Sequence, residues 1–531
     1  MAYFIARKDV SELYDYIGRE MIFTDYDEIT KDNVLDVIDK AFSIHMRNIT
    51  EEQYLFNYVA GDQDIKKREK EIRSEINERV VINIASRIKN FKVGYEYSNP
   101  VTYIKAGEVK ALKSKLARII QRLFKNKKDE SISDDERINA LNEMLREQSK
   151  SSKDVLLADS FKSCGLGYRL ILPNDNENEL SLFKIAILNP TMAFVVYKND
   201  AFREPMLGVS YSIMDDGSVK IGAWSKKNYF EIKRGGFGLT DSCYPDFTVK
   251  PWVYGEIPVI EYANERNILG RSFACFEMAI PILDELNTVN SDRANDIAQF
   301  VQSLLWFHNC ELDEDQKKQL ADGNGLVVTK STGNGKDAKI TYLTQTLNQS
   351  EIQSYVDYLK EESQEIAGVP MFGISTGGST GSATSMSNGY SEADTRALTS
   401  EQEFDQAEMR SIKVMLAIAR HDKDKDDADI GSLRPSDIGI KHSRNKTYDL
   451  ATKINAWATM VDRGADLLQA TSIADFATDP QQFTADSEKM VNEIRLSKLN
   501  KQGENQEKPD SGKMMQDNSD QPGRSPYGEL S

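Results

Sequence analysis

Apolar residues recur at helical spacing through the first part of the chain, to about residue 150. Val34, Val37, Ile38 and Phe42 mark one apolar helix face. Further along, apolar residues stand four apart between charged ones and predict one long amphipathic helix that ends at Gly94. These residues are Ile72, Ile76, Val80, Ile84 and Ile88. A helical N-terminal part is therefore expected.

A second apolar stripe, between Leu112 and Leu123, is surrounded by eight Lys or Arg from Lys110 to Lys128. This pattern predicts a basic helix over about 109–130. Its charges form either a solvated outer face or a patch for phosphates or a partner. The solvated face is the simpler interpretation.

From about residue 165 to 265 the pattern changes to the alternation that is typical of strands. Six runs rich in β-branched and aromatic residues are separated by Asn, Asp, Gly and Pro. They are YRLILPND, LFKIAILNP, MAFVVYKND, MLGVSYSIM, VKIGAWS and NYFEIKR. This spacing predicts an antiparallel sheet module with polar turns.

Three helical patterns follow, and the first runs from Phe273 to Phe307. Pro281 lacks a backbone donor, so this helix either starts or kinks there. Two strands, LVVTK and KITYL, are predicted in a small insertion. The second helix is expected to stop at Gly368, with Pro370 two residues beyond.

An uncharged Gly/Ser/Thr stretch at about 371–388 precedes the third helix, which is predicted over 391–420. One short strand at 437–444 and further helices to about residue 500 come next. The tail from residue 501 has almost nothing apolar to bury and is expected to be disordered.

Composition narrows the function. The chain has 531 residues, with 67 Lys+Arg against 84 Asp+Glu, and a formal charge of −17. At roughly 150 residues per domain, this length predicts three or four structural units. Non-specific DNA binding depends on basic side chains that neutralise phosphates, so the acidic balance disfavours simple gripping of nucleic acid.

The four cysteines form no CxxC pair, and the four histidines form no HExxH or zinc deaminase motif. A reducing compartment is expected, with neither a thiolate zinc site nor a disulfide framework. No signal peptide is predicted at the start, and the apolar stretch around Glu277 is too short to span a bilayer. We therefore expect a soluble intracellular protein without metal, cofactor or membrane contact.

Possible binding loops do not match their motifs. The glycines of the 371–388 stretch are followed by no lysine, and Gly335-Lys336 is followed by Asp337, so a P-loop is disfavoured. The acidic run from Asp422 has Asp427 and Leu433 where a calcium loop needs Gly and Glu, which favours a solvated acidic turn. No nucleophile is paired with a base, so no catalytic residues are assigned and a structural protein is favoured over an enzyme.

The order of elements resembles a known family. Four stretches carry the resemblance: ASRIKNFKVGYEYSNPVTY, GEIPVIEYANE, ILDELNTVNSDRANDIAQF and IAGVPMFG followed by TGSA. Together they resemble the portal proteins of tailed bacteriophages, in the family related to the portal of phage SPP1, over about residues 30–495. The basic stretch near 108–130 is longer than the family needs. The first basic residue after the Gly/Ser/Thr stretch is Arg396, where the family often has one sooner.

The resemblance implies an α+β, mainly helical portal fold with long stem and tunnel helices, a β-rich wing and a small α/β clip. It implies a ring, usually of twelve subunits. Carried onto this chain, it gives a wing at 1–266, stem helices at 267–300 and 348–370, a clip at 301–347, a tunnel loop at 371–388, a tunnel-lining helix and return strand at 389–445, a crown at 446–500 and a disordered tail at 501–531.

The function implied is a channel for packaging and ejection of double-stranded DNA, at one capsid vertex of a virion assembled in the bacterial cytoplasm. Implied partners are the terminase large subunit, a head–tail adaptor, and major capsid and scaffolding proteins. The candidate DNA-facing residues are those of the tunnel loop: Gly373, Ser375, Thr376, Gly377, Gly378, Ser379, Thr380, Gly381, Ser382 and Thr384. A metal-dependent nucleic-acid-processing enzyme and another capsid-associated scaffold protein stay open as alternatives.

The acidity of the chain suits such a channel. Twelve copies at −17 each carry about 204 formal negative charges around the passage. A wall of this sign repels the duplex from all sides and keeps it centred. Hydroxyls and amides of a loop rich in glycine, which adopts many backbone conformations, can then contact phosphates without holding them by charge.

Overall fold

The computed structural model describes most residues between 18 and 474. The described stretches are 18–71, 74–106, 133–176, 178–235, 246–301, 349–370, 390–444 and 450–474, with short pieces between 302 and 348 and a few positions from 477 to 487. The predicted basic helix, the 371–388 stretch and the tail from residue 501 lie outside them. The chain divides into two units, residues 1–446 and 447–531.

Helices and sheets both occur, which confirms the predicted α+β class. The longer helices of the first unit are α1 (Val34–Val59), α2 (Ile84–Tyr97), α3 (Asp134–Glu147), α4 (Lys150–Cys164), α5 (Ile280–Val301), α6 (Gln349–Ala367) and α7 (Tyr390–His421). Those of the second unit are α8 (Leu450–Asp462) and α9 (Leu467–Ala474).

All six runs predicted as strands between 165 and 265 are strands. The strands up to Phe273 are β1 (Ile22–Thr24), β2 (Thr102–Lys105), β3 (Leu166–Pro173), β4 (Phe183–Leu188), β5 (Ala193–Lys198), β6 (Pro205–Ile213), β7 (Val219–Trp224), β8 (Asn228–Arg234), β9 (Asp246–Pro251), β10 (Val259–Ala263), β11 (Glu265–Arg266) and β12 (Ser272–Phe273). The later ones are β13 (Leu304–His308), β14 (Cys310–Glu311), β15 (Lys330–Ser331), β16 (Lys339–Leu343) and β17 (Ile438–Lys441).

The structure differs from the predicted antiparallel module in two respects. The strands form a six-stranded sheet in the order β1-β5-β6-β7-β8-β9 and a separate three-stranded sheet in the order β10-β3-β4. The first strand comes from outside the predicted module and pairs parallel to β5, with Ile22 opposite Val196. A parallel neighbour needs a long crossover connection, which lets a strand from the helical N-terminal part join the sheet.

The two sheets and the helices pack in layers. Helix α1 covers one face of the six-stranded sheet, where Val37 and Phe42 meet Phe194 and Val209. The other face packs on the three-stranded sheet through residues such as Tyr197 and Tyr168. The far face of the three-stranded sheet packs on α3, α4 and α7 in the largest apolar cluster. Strand β3 therefore has both faces buried, and its charged residue, Arg169, lies in the protein interior.

The long helix predicted through Val80 to Gly94 is not present as one element. A short 3-10 helix spans Asp64–Lys67, residues 76–83 are not helical, and α2 passes through Gly94 to Tyr97. We call residues 76–83 the strap, since they run along α5. The backbone N–H groups of Glu78, Val80 and Ile82 donate to side chains of that helix rather than to carbonyls of their own turn.

The acceptors on α5 are four residues apart, and the donors on the strap are two apart. Asn295 accepts from Glu78 at 2.6 Å, Ser291 accepts from Val80 at 2.9 Å, and Asn287 accepts from Ile82 at 2.8 Å. Four helical residues rise about 6 Å and two extended residues about 6.7 Å, so the spacings match over this length. The strap is therefore extended, although its apolar spacing is that of a helix, because its backbone donors bond to α5.

The first long helical pattern ends earlier than predicted. Helix α5 begins at Ile280, which confirms a start at Pro281, but it ends at Val301. Leu304–His308 is a strand that pairs antiparallel with Lys339–Leu343, the predicted strand KITYL. A run of consecutive apolar residues fits a helix or a buried strand equally well, and only the pairing partner decides. The predicted strand LVVTK lies, except for Lys330, outside the described residues.

The strand predicted after the third helix returns to the N-terminal half. Strand β17 pairs antiparallel with β2, and Ile440 lies opposite Tyr103. Helices α6 and α7 match their predicted limits within one or two residues. In the second unit, Val461, Leu467 and Ala470 form a small core, and the Trp457 indole donates to Thr471 at 3.0 Å.

Candidate functional site

The predicted DNA-facing residues, Gly373 to Thr384, lie outside the described residues. The structure therefore places none of them, and their role stays a prediction. It does describe both ends of the segment that contains them, the C-terminus of α6 and the N-terminus of α7. The candidate site is built from these two ends and from the contacts that fix α7.

A glycine terminates α6. Gly368 has a φ of +63°, and its N–H donates to Glu365 O at 2.9 Å. The N–H of Val369 donates to Gln364 O at 3.0 Å, and its side chain is buried. This pair of bonds is a Schellman motif, which satisfies carbonyls that the helix end leaves without partners. The first end of the segment is thus well defined.

Arg396 joins the two ends. Its side chain, on the second turn of α7, donates to Ile366 O at 2.8 Å and to Glu365 O at 3.4 Å. It also pairs with Glu392, one turn earlier, at 3.1 Å. The first basic residue after the Gly/Ser/Thr stretch is therefore engaged at the end of α6.

Replacing Gly368 by alanine should weaken this junction. A Cβ at this position would overlap the Arg396 side chain, and an alanine at this φ is strained, so we expect a loss of about 1–3 kcal/mol in the free energy of unfolding. Gly94→Ala is the matched control, since Gly94 lies within α2 with open space around it, and a gain of about 0.4–1 kcal/mol is expected. Urea titration measures both. Equal effects of the two variants would contradict the conclusion that Gly368 is needed where Arg396 joins the end of α6.

The first turns of α7 pack on α2. Tyr390, Ala393 and Ala397 contact Phe91 and Tyr95 in a small apolar cluster. The Tyr95 hydroxyl donates to the Asp394 carboxylate. The N-terminal end of the long helix is thus held at a defined position immediately after the predicted tunnel loop.

A second arginine, which follows α7 in the sequence, also holds the N-terminal half of this helix. Arg444, which follows β17, donates to Asp394 at 3.1 Å and forms an ion pair with Glu401 at 2.9 Å. Because β17 is paired with β2, these bonds join α7 to the N-terminal half.

The middle of α7 is held by a buried charged network. Glu408 is fully buried and accepts from Arg169 at 2.7 Å and from the Tyr262 hydroxyl at 2.6 Å. Lys150 lies 2.9 Å from the same carboxylate. Arg169 and Lys150 each also pair with Asp154. Two cations and two anions balance inside the core, which satisfies the requirement that buried charges be paired.

The two carboxyls of this network respond differently to the same cations. Burial acts to raise the pKa of Glu408, but the charges of Arg169 and Lys150 outweigh it and the pKa lies below its ordinary value. For Asp154 burial dominates over both cations, and its pKa lies above its ordinary value. Glu408 is therefore the firmly ionised anion of the network.

This arrangement is suited to holding helix α7 in place. In the described stretches, no group of three or more His, Cys, Asp or Glu is placed to hold a metal ion. The acidic turn predicted from Asp422 uses its carboxylates locally: Asp426 accepts from the N–H groups of Ile430 and Gly431 at 3.0 and 2.8 Å, and Asp429 pairs with Arg137. None of the helices described here combines the length and apolarity needed to cross a membrane.

Sequence reasoning missed the charged network, since carboxylates are too common in this chain to single out a pair. A signal was present. Arg169 stands within an apolar strand run, and Glu408 lies four residues from both Phe404 and Ile412 on the apolar stripe of α7. A charged residue at a position that the pattern predicts as buried needs a buried partner.

Comparison with protein-family models shows to which family the chain belongs. The family model described as "Phage portal protein, SPP1 Gp6-like" matches residues 38–507, most of the chain. The chain belongs to this family of phage portal proteins. The resemblance predicted over about residues 30–495 is confirmed. A comparison with individual curated proteins gave no match.

For this portal protein, the family gives the general role. The family is structural rather than enzymatic. It implies a homo-oligomeric ring that docks with the capsid and the terminase, and a place at a capsid vertex of the virion.

Proposed function

We propose that the chain is one of twelve subunits of a portal ring whose central channel passes double-stranded DNA during packaging and ejection. The ring docks the terminase large subunit and later a head–tail adaptor, and contacts major capsid and scaffolding proteins. The observation that supports this most directly is the junction at Arg396. It joins the end of α6 to the first turns of α7, the two helices on either side of the uncharged 371–388 stretch, which is the proposed tunnel loop.

We propose the other portal regions of the chain from the same family resemblance. The layered sheets and helices up to residue 266 form the wing, and the pairing of β17 with β2 supports a return of the chain to it. Helices α5 and α6 are the stem, 301–347 the clip, 389–445 the tunnel-lining helix and return strand, and 446–500 the crown. The tail at 501–531 is proposed to be disordered.

The absence of charge in the proposed tunnel loop is the property to test. Basic residues there would neutralise phosphates and retain the duplex, so Thr376→Lys with Thr380→Lys should leave ring formation intact but slow DNA packaging. The defect should lessen as salt is raised, because the free energy gained from counterion release, and with it the affinity of the lysines for phosphates, falls at higher salt. Thr376→Ser with Thr380→Ser is the matched control and should package normally.

Images and a packaging assay provide the measurement. Electron micrographs of the full chain should show twelvefold rings with a central channel, and packaged DNA should be quantified by nuclease protection with purified terminase and capsids. Rings that never form, or lysine variants that package as well as the serine control, would contradict the proposal. Cleavage of duplex DNA by the protein with Mg²⁺ would favour the nuclease alternative instead.

A further inference from the structure

A cavity of about 300 Å³ lies beside the Arg396 junction and has no part in the function proposed above. Helix α2 lines it with Lys92, strand β11 with Glu265 and Arg266, the end of α6 with Ala367, and the second turn of α7 with Arg396. The residues that lead into α5 close it, including Cys275. Five separate elements of the first unit thus meet around one polar opening.

Three cations and one carboxylate line this cavity, and two of the cations are already paired. Arg266 pairs with Glu261, and Arg396 is engaged with Glu392 and the carbonyls of α6. Glu265, the one carboxylate, is exposed. The lining side chains therefore carry three positive charges to one negative, and Glu261 and Glu392 neutralise two of the positive ones.

Lys92 differs from its neighbours. Lys89, one turn earlier on α2, pairs with Asp159, and Lys162 behind the cavity pairs with Glu96 at 2.6 Å and Ser400 at 2.9 Å. Within the part of the chain that the structure describes, no hydrogen bond or ion pair reaches the Lys92 ammonium. The carboxylate that would otherwise be its helical partner, Glu96, is occupied by Lys162.

The surroundings of Lys92 disfavour an isolated positive charge. Lys92 is half-buried, and burial lowers its pKa. Cys275 and Glu96 act in the opposite direction, while the like charges of Lys162 and Arg396 lower the pKa further. A carboxylate placed in the cavity would reverse this, since an opposite charge at short range favours the ammonium. Among the described residues, no carboxylate of the subunit itself pairs with Lys92.

We propose that the cavity receives an acidic side chain from the neighbouring copy in the ring, which pairs with Lys92. The proposal rests on ring assembly, which places a second copy against every subunit. Charge complementarity supports this occupant, because each copy has 84 acidic against 67 basic residues and is rich in carboxylates. A closed ring of head-to-tail contacts also needs two different surfaces on each subunit, and this cavity would be half of one such pair.

Cross-linking identifies the partner directly. Rings assembled from a mixture of ¹⁵N-labelled and unlabelled full-length chains are treated with a carbodiimide, which joins an amine to a carboxylate without a spacer. Mass spectrometry should find Lys92 linked to one Asp or Glu, with labelled and unlabelled peptides in the same product. A link only within one copy would overturn the proposal. Protection of Lys92 by added duplex DNA, with no link between copies, would assign the cavity to a phosphate instead and also overturn it.

Variants test the energetic consequence. Lys92→Met keeps the aliphatic stem, so the isolated subunit should unfold at an unchanged or higher temperature. The concentration at which half of the chains are in rings should rise by about tenfold or more, and the salt dependence of assembly should weaken. Lys92→Glu should assemble less well than Lys92→Met, because like charges then meet. Lys184→Met, at an exposed lysine on β4, is the matched control and should assemble like the unmodified chain.

The outcomes separate this inference from the proposed function. Failure of the unmodified chain to form any ring overturns both. Normal rings from the unmodified chain and equally stable rings from Lys92→Met overturn the Lys92 contact alone. Mass photometry over a range of concentrations and salt measures all of these.

Discussion

Glu408→Ala is expected to lower the free energy of unfolding by about 3–5 kcal/mol, since it leaves buried cations without their anion. Arg169 is fully buried and would keep only Asp154 as a charged partner, while Lys150 would share the same carboxylate. The hydroxyls of Tyr262 and Tyr103 would both lose the carboxylate to which they donate. A net positive charge would then stand in the core between α7 and the three-stranded sheet.

Two further variants show that charge pairing, and not only lost volume, causes the effect. Glu408→Gln retains the shape and one acceptor oxygen, and should fall between the unmodified chain and Glu408→Ala. Glu408→Leu combined with Arg169→Met removes one ion of each sign, leaves Lys150 paired with Asp154, and should cost less than Glu408→Ala alone.

Urea titration of each variant, followed by circular dichroism, provides the measurement. Gln406→Ala, at an exposed position of the same helix, is the matched control and should be nearly neutral. A double variant that is less stable than Glu408→Ala would contradict the charge argument. It would mean that the polar groups contribute more through their hydrogen bonds than through their balance of charge.

Removing the acceptors that α5 offers to the strap is the second large effect expected. Ser291→Ala should cost about 1–3 kcal/mol, because the N–H of Val80 loses its partner in a partly buried position. Adding Asn287→Leu and Asn295→Leu removes the other two acceptors, and the strap should then detach from the helix. All three side chains are at most 1% exposed, so water does not replace them while the strap is bound.

Amide hydrogen exchange is the direct measurement, since it reports on the three donors themselves. In the triple variant, protection at Glu78, Val80 and Ile82 should fall to that of an open segment, while α2 keeps its own protection. Thr288→Ala, on the same helix but bonded only to the carbonyl of Asp284, is the matched control. Retained protection at the strap amides would show that other contacts hold it.

The strap also shows why part of the fold could not be predicted. Its apolar residues fit a helix by spacing, and nothing local contradicts that pattern. The competing partner is the row of Asn287, Ser291 and Asn295, more than two hundred residues away. These three residues look like an ordinary polar face of a helix in the sequence, because an acceptor cannot be matched to its donor before the two elements are brought together.

The strands from 304 to 343 illustrate a different limit. The run Leu304–His308 has no polar residue until its end, so its period gives no choice between helix and strand. Pairing with Lys339–Leu343 settles it. By contrast, alternating runs such as Val219–Trp224 were predicted correctly, because apolar residues at every second position make the period visible.

For the candidate site, the sequence predicted the two helix ends and the uncharged stretch between them. Gly368 with Pro370 beyond it marked the end of α6 correctly, since few other residues tolerate its φ of +63°. The role of Arg396 was not predicted, because its acceptors are backbone carbonyls, which every residue has and no pattern distinguishes.

The sequence by itself determined the class of the fold, the order of its main elements and the portal family, because periodicity, turn residues and the order of motifs are local properties that survive in one dimension. The tertiary structure decided which charges are paired, which backbone donors are satisfied by distant side chains, and that Lys92 has no partner among the described residues. Glu408, the strap and Lys92 depend on distances between residues that lie far apart in the chain. Electrostatic and hydrogen-bond energies fall steeply with distance, so such contacts are defined only once the chain has folded.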